Sequence, residues 1–449
     1  MQLQTLPYLQ SNNPEIGQKL YQLICDLYPI CRSITGNGFR ESLKIIQQHI
    51  PIKIHEVPTG TQVFDWTVPK EWNTKDAYIK NSQGEKIVDF ANSNLHVLNY
   101  SIPVNKTVYL PELKEHLFTI PESPDWIPYR TSYYQEMWGF CLSHNQYLQL
   151  QDREYEVYID SSLEPGHLSY GEYFISGKTT DEVLISCHAC HPSLCNDNLS
   201  GISIAVFLAK HLSQFTPHYS YRFIFIPGTI GSITWLAVNE ANVSQIKHGL
   251  VLTCLGDSGN FTYKKSRRGD AEIDNIVSYV LSNSNKDDKV IDFFPYGYDE
   301  RQYCSPGFNL PVGCLMRSPH NSFPEYHTSA DNLNFVQPQY LAESFAKCVS
   351  IVNILENNQI YYNTNPKCEP QLGKRGLYEA DIDSQGRRLN RMAILWVLNL
   401  SDGNYTLLDI AKKSGITFDE IKQAVDVLLR YNLLACSIQD TQDFQNFNL

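Results

Sequence analysis

SCHACHPSLCNDNLSG, residues 186–201, follows the apolar run Val183 to Ile185 and closes on the small-residue turn Asn198 to Gly201. Within it lie His188 and His191, the thiols Cys187 and Cys190, and Asp197. A strand that ends in a histidine and is followed at short range by a carboxylate turns an imidazole nitrogen and a carboxylate oxygen toward one point. That donor pair suits zinc. The stretch therefore predicts a metal site at a strand end.

The surrounding pattern says what kind of sheet carries that strand. Between about 167 and 360, strand runs at Gly171 to Phe174, Val183 to Ser186, Tyr221 to Ile226, Gly249 to Cys254 and Val312 to Met316 alternate with helical stretches such as Gly201 to Leu212 and Ser232 to Glu240. Alternation of this sort predicts a largely parallel, helix-covered sheet. Ligands in such sheets collect beyond the carboxyl ends of the strands. Residues 1–50 read as helical, with Ile16, Leu20, Leu23, Ile24 and Leu27 at helical spacing and a second stretch from Phe39 to Ile50. Residues 51–160 carry short β-branched or alternating runs broken by Pro, Asn and Gly, together with many large aromatics, and read as a mostly β segment. Those aromatics are expected chiefly in a packed core.

Near the C-terminus, helices are predicted over Arg388 to Leu398, 406–415 and 417–434, with Gly415 between the last two. This is a winged helix-turn-helix outline. Its would-be recognition helix sets Asp419, Glu420 and Asp426 against Lys422 and Arg430, so it has no positive face to meet phosphates. The expectation is a protein-contact or structural role there, through a second copy or a partner where it is a contact, and no nucleic acid.

Composition agrees with a soluble chain. Its 449 residues are 42% apolar, enough for real cores, and a formal net charge of −12 repels polyanions. The first ten residues have neither a basic nor an apolar signal region, and no window approaches the roughly 18 apolar residues that span a bilayer. A cytoplasmic protein with no membrane association is expected, its twelve cysteines reduced. Cys187, Cys190 and His191 also form C-x-x-C-H, the spacing of covalent haem attachment, but that chemistry requires export. A redox C-x-x-C pair would need a strand-to-helix setting that Pro192 and the Asn-rich turn do not resemble.

EYHTSADNL, residues 325–333, lies just past the Val312 to Met316 run. In an extended segment, Glu325 and His327 would share a face. With His188 and Asp197, His327 becomes a candidate third ligand, and two histidines with a carboxylate and an open position make a catalytic rather than a closed structural zinc geometry. Arg301, Tyr303 and Arg317 sit around the next strand end, where arginines can fork onto a substrate carboxylate or phosphate. Pairing of these arginines with Asp299 and Glu300 is the competing reading.

The order of strand, His188, Asp197 and the distant H-T-x-x-D at His327 to Asp331 resembles the zinc aminopeptidases. More narrowly, HACHPSLCNDNLSG, FIPGTIGSITWL, YDERQYCSPGFNLP, EYHTSADNL and KCEPQLGKRGLY look like the aminopeptidase-like proteins found with bacterial polysaccharide biosynthesis. The resemblance covers nearly the whole chain. It implies an α/β fold: an aminopeptidase-like doubly wound mixed sheet with helices on both faces, an inserted mostly β domain and a C-terminal winged helix-turn-helix. The corresponding domains would be 1–50 with 161–365, 51–160, and 385–449. It makes His188 a ligand, Asp197 a metal-bridging carboxylate and His327 the ligand of a second metal position.

The chain also departs from that pattern. Where the aminopeptidases carry two glutamates after the strand written RFIFIP here, this chain has Gly228-Thr229-Ile230-Gly231-Ser232. The carboxylate that usually orients the first histidine, two residues on, is Cys190. The aspartate expected after the next strand falls near Cys254 or Asp257, and Asp257 is preferred as the hard oxygen donor. With so few carboxylates, one zinc is expected rather than two. The general base would fall to Glu325 or Glu300, with Glu325 preferred because it would share a face with His327. The functional expectation is a zinc-dependent aminopeptidase-like hydrolase acting on a peptide or an amide-containing small substrate. The alternative is a catalytically degenerate metal-binding scaffold or interaction module.

Overall fold

Val183 to Ile185 lie in the middle of an eight-stranded sheet in a computed structural model of the chain, which describes residues 14–377 and 389–437. The strands are β1 (Lys53–Pro58), β2 (His167–Ile175), β3 (Glu182–His188), β4 (Ser220–Ile226), β5 (Ile246–Leu252), β6 (Thr262–Lys264), β7 (Lys289–Ile291) and β8 (Val312–Met316). Their order across the sheet is β1-β2-β4-β3-β5-β8-β6-β7. β4, β3, β5 and β8 are mutually parallel, β1 and β2 pair antiparallel at one edge, and β6 runs antiparallel to β8. All seven residues of β3 are buried, as a strand covered by helices on both faces requires. Register pairs His188 with Ile226, so the loops that leave β3 and β4 start at the same level.

Helices α1 (Pro14–Leu27) and α2 (Asn37–His49) bury one stripe each, Leu20, Leu23, Ile24 and Leu27 in the first and Phe39, Leu43 and Ile46 in the second. α3 (Gly201–Leu212) follows the histidine motif and is buried along most of its length. A Cβ on Gly201 would stand 2.3 Å from the Leu252 carbonyl oxygen, so glycine alone lets this helix start against β5. α4 (Ile230–Asn239) follows β4, and α5 (Glu272–Ser282) and α6 (Pro338–Asn357) complete the layers.

A second, antiparallel sheet is inserted between β1 and β2, in the order 86–89, 71–80, 154–164, 104–109. Its strand Glu154–Glu164 buries Tyr155, Val157 and Ile159 in strict alternation, the mark of a sheet packed on one face. Trp72 and Trp138 are buried here, Trp138 stacked on His116 at 3.6 Å, while Trp66 is exposed. Three details differ from the sequence reading. Lys53–Pro58, read with the inserted segment, pairs into the main sheet as its edge. β5 ends at Leu252 rather than Cys254, whose φ of 49° leaves the strand region. The three-residue strands β6 and β7 were too short for a periodic signal.

Residues 350–449 form a separate unit from 1–349. It holds α7 (Arg391–Leu400), α8 (Leu407–Ser414) and α9 (Phe418–Arg430) with a three-stranded sheet of β9 (Ile360–Asn363), β10 (Asp402–Thr406) and β11 (Leu434–Ala435). Thr406 and Thr417 start α8 and α9 with reciprocal capping boxes to Asp409 and Glu420. On α9, Lys422 pairs with Asp426 at 2.5 Å. Arg388, the expected start of α7, lies outside the described residues, as do the first ten residues. Among the described residues no helix is long and apolar enough to cross a membrane.

Candidate metal centre

β3 delivers His188 to the carboxyl edge of the sheet, buried to 2% exposure. The chain then turns back through Cys195–Ser200, where Asp197 has non-helical dihedrals (φ −109°, ψ 81°) that aim its carboxylate at the histidine. Asp197 Oδ1 lies 2.8 Å from His188 Nε2, and Oδ2 lies 2.9 Å from His327 Nε2. A single carboxylate thus faces two imidazoles from segments far apart in the sequence. His191 completes the group, its ring 5.0 Å from that of His188 and 5.1 Å from that of His327. The ligand atoms of His188, His191 and Asp197 all lie within 4.8 Å of one another.

The flanking residues of N-D-N hold this loop in place. Asn196 donates from Nδ2 to Asp257 Oδ2 at 2.7 Å and accepts from Gly256 N at 2.8 Å, while Asn198 donates to the Leu252 carbonyl at 2.9 Å. Asp331 accepts from the backbone N–H groups of Asn196 and Asp197 at 2.6 and 3.0 Å. Three tyrosines wall the cluster. Tyr298 stacks on His188, Tyr326 stacks on His327 at 4.0 Å, and Tyr129 meets both His191 and His327 edge-on. Tyr129 comes from the inserted segment, whose backbone N–H donates to the His327 carbonyl at 2.8 Å.

Charge follows from this geometry. Burial alone would raise the Asp197 carboxyl, but His191, His188 and His327 hold it well below the usual carboxylate range. Burial would lower His188, and the Asp197 carboxylate overrides it and pushes the ring up. His191 is driven well below its ordinary value by burial, so it stays neutral and keeps a lone pair for a metal. The buried Nδ1 atoms of His188 and His191 have no hydrogen-bond partner. Three imidazoles around one buried carboxylate are a donor set that fits zinc. All twelve cysteines are free, and burial pushes the Cys190 thiol up to about 12.

Other residues singled out in the sequence are engaged elsewhere. Asp257 spends Oδ1 on Gly259 N and Ser318 Oγ and Oδ2 on Asn196, so its hard oxygens are already committed to holding loops. Tyr303 is fully buried against Ser186 Oγ at 3.0 Å, out of reach of any substrate. Arg317 pairs with Glu343 at 2.8 Å and lies over the Phe261 ring, a structural anchor rather than a free fork. Arg301 is half-buried over Tyr296. Glu300 forms a fully buried ion pair with Lys264. Glu325 is half-buried, and the segment is not extended there: His327 has φ 55°, so the backbone turns and the shared-face argument linking the two fails.

A family model described as a domain of unknown function (DUF4910) matches residues 21–358, and a winged helix-turn-helix model matches residues 359–436. A Clostridium acetobutylicum protein named for polysaccharide biosynthesis with an aminopeptidase-like domain is 56% identical over 95% of this chain and 98% of its own. A crystal structure from Clostridium acetobutylicum, described as that of a peptidase, superposes with TM-score 0.90 at 55% identity, covering 94% of this chain and 97% of that one. A zinc aminopeptidase from Bacillus subtilis superposes with TM-score 0.56 at 12% identity over 78% of this chain and 95% of that one, a likeness of fold alone.

Proposed function

Since the chain belongs to the DUF4910 family and its core has the aminopeptidase-like fold, we propose that it is a zinc-dependent hydrolase of amide bonds. The observation that carries this reading is the convergence of His188, His191 and His327 on the buried carboxylate of Asp197. These four residues would hold one zinc ion. A second ion lacks donors, because Gly228 and Thr229 stand where two glutamates are expected and Asp257 is committed to loop contacts. The ion would supply carbonyl polarisation and an acidified water.

The chain's own residues then have distinct tasks. Asp197 holds the imidazoles in one orientation, and Tyr129, Tyr298 and Tyr326 exclude bulk water around them. The proton taken from the attacking water needs an acceptor, and Glu325 is the proposed one. It sits in the turn that delivers His327, half-buried, its carboxylate in no ion pair or hydrogen bond among the described residues. The substrate would be a peptide or an amide of a modified sugar. The amide of an amino sugar gains weight from the polysaccharide-biosynthesis name of the Clostridium acetobutylicum relative. The enzyme would act in the cytoplasm.

A second reading, a metal-binding scaffold without turnover, is favoured by one observation, the absence of any carboxylate in the loop after β4. Two measurements separate them. Elemental analysis of purified protein is expected to show about one zinc per chain, and a folded metal-free chain would remove both metal readings. A panel of amino-acid anilides and N-acylated amino sugars is expected to be hydrolysed only by the zinc-loaded protein. Zinc without turnover on any of them would leave the scaffold.

A further inference from the structure

We propose that Asp299 is the carboxylate that orients His188, reaching it across the space that Gly228 leaves open. The inference rests on the metal reading above. His188 turns Nε2 to Asp197 at 2.8 Å, which leaves Nδ1 on the far side of the ring, buried and without a partner. Asp299, just before the helical turn Glu300–Tyr303, is likewise fully buried. Its Oδ1 accepts from Ser232 Oγ at 2.8 Å, and its Oδ2 has no partner.

Gly228 borders both residues. A Cβ there would stand 3.0 Å from His188 Cβ, 3.5 Å from His188 Cγ and 3.3 Å from Asp299 Oδ2, so a side chain would crowd the two together. When Nε2 serves a metal, Nδ1 carries the ring proton and needs an acceptor. Metal-bound histidines almost always give that proton to a carboxylate, carbonyl or water. Cys190 cannot provide it, since its protonated thiol is directed at the Gly228 carbonyl at 3.8 Å. Leaving a buried donor and a buried acceptor both unmet is costly to each. The bare Gly228 and the approach of Asp299 thus serve one contact.

Asp299→Asn keeps the shape and removes the charge. Zinc affinity, read by competition with a chromophoric chelator, is expected to fall 10- to 100-fold. The melting temperature of the metal-free protein is expected to hold or rise, because a buried unpaired carboxylate is gone. A lower metal-free melting temperature with unchanged zinc affinity would mark Asp299 as merely structural and overturn the proposal. Gly228→Ala crowds the gap while leaving the Asp299 and His188 side chains chemically unchanged and is expected to weaken zinc binding over the same range. Joining the two changes should cost little more than the larger alone, since both break one contact; full additivity overturns the proposal. Should Asp299→Asn fail to fold, Gly228→Ala decides by itself. A wild-type chain that takes up no zinc overturns the metal reading and this one together. Wild-type uptake that neither variant weakens overturns this one alone.

Discussion

β3 and β4 lie side by side and release their loops at the same level of the sheet, yet the two loops arrive with opposite chemistry. The loop after β3 brings His188, His191 and Asp197 within 4.8 Å of one another. The loop after β4 brings Pro227, Gly228 and Thr229, with no ionisable group. The β3 loop has concentrated donors, including a histidine that the resemblance does not assign, while the β4 loop has become a space that other elements use. In a site of this kind the scaffold fixes where groups converge, and which strand supplies each group can change.

The hardest blow to this comparison would come from Asp197→Asn, which keeps the side-chain shape but removes the charge that faces three imidazoles. Breaking a buried charge pair costs about 3–5 kcal/mol, so zinc affinity measured by chelator competition is expected to fall by about 10³-fold. Retained affinity would mean the β3 loop is not the donor side. If the β4 loop carries no chemistry, proton transfer must come from elsewhere. Glu325→Gln is accordingly expected to lower kcat by at least about 100-fold with zinc content unchanged, on whichever amide the protein hydrolyses. Unaltered turnover would return the search for a base to the strand ends. His191→Ala sharpens the comparison by asking whether the concentration of donors is real. As a ligand, its loss should weaken zinc by about 100-fold or more, beyond what an outer partner costs; an effect below tenfold would reduce the centre to His188, Asp197 and His327.

The last effect concerns stability rather than the site, at the amino end of β5, next to β3. Burial lowers His248 to about 4, so it is neutral when folded and charges more readily when unfolded. Its contribution is therefore present above about pH 6.5 and is lost as pH falls from there toward 4, by about 3 kcal/mol at the acid end. Thermal melts of the metal-free protein should show that acid slope, and His248→Gln should flatten it. An unchanged slope would place the sensitivity in the donor cluster instead.

Much of the architecture was legible because it rests on patterns that burial enforces. The run Val183 to Ile185 had to be a buried strand, and Glu154–Glu164 had to alternate. Within the site, what could be read from spacing was the identity of donors close in sequence to a strand end. Three things were hidden. The left-handed turn at His327 is set by its packing against Tyr129 and Tyr326, which lie on different elements. The commitment of Asp257 depends on Asn196 and Ser318, about sixty residues away on either side. The meeting of Asp299 with the gap over Gly228 is a property of the folded sheet edge, and no local signal announces it.

The hydrogen bond from Tyr129 N to the His327 carbonyl is one of several stitches, with Ile127 N to Ser329 Oγ at 2.9 Å and Ser329 N to the Ile127 carbonyl at 2.8 Å. They join segments some two hundred residues apart in sequence, and one of the stitched residues, His327, is a proposed ligand. A growing chain that has made the β3 loop therefore has two histidines and a carboxylate but no completed clasp. The clasp closes only after residue 327 has emerged and the insertion has docked. An ion held by the proposed cluster would lend its stabilisation in full only to a chain in which these two segments have met.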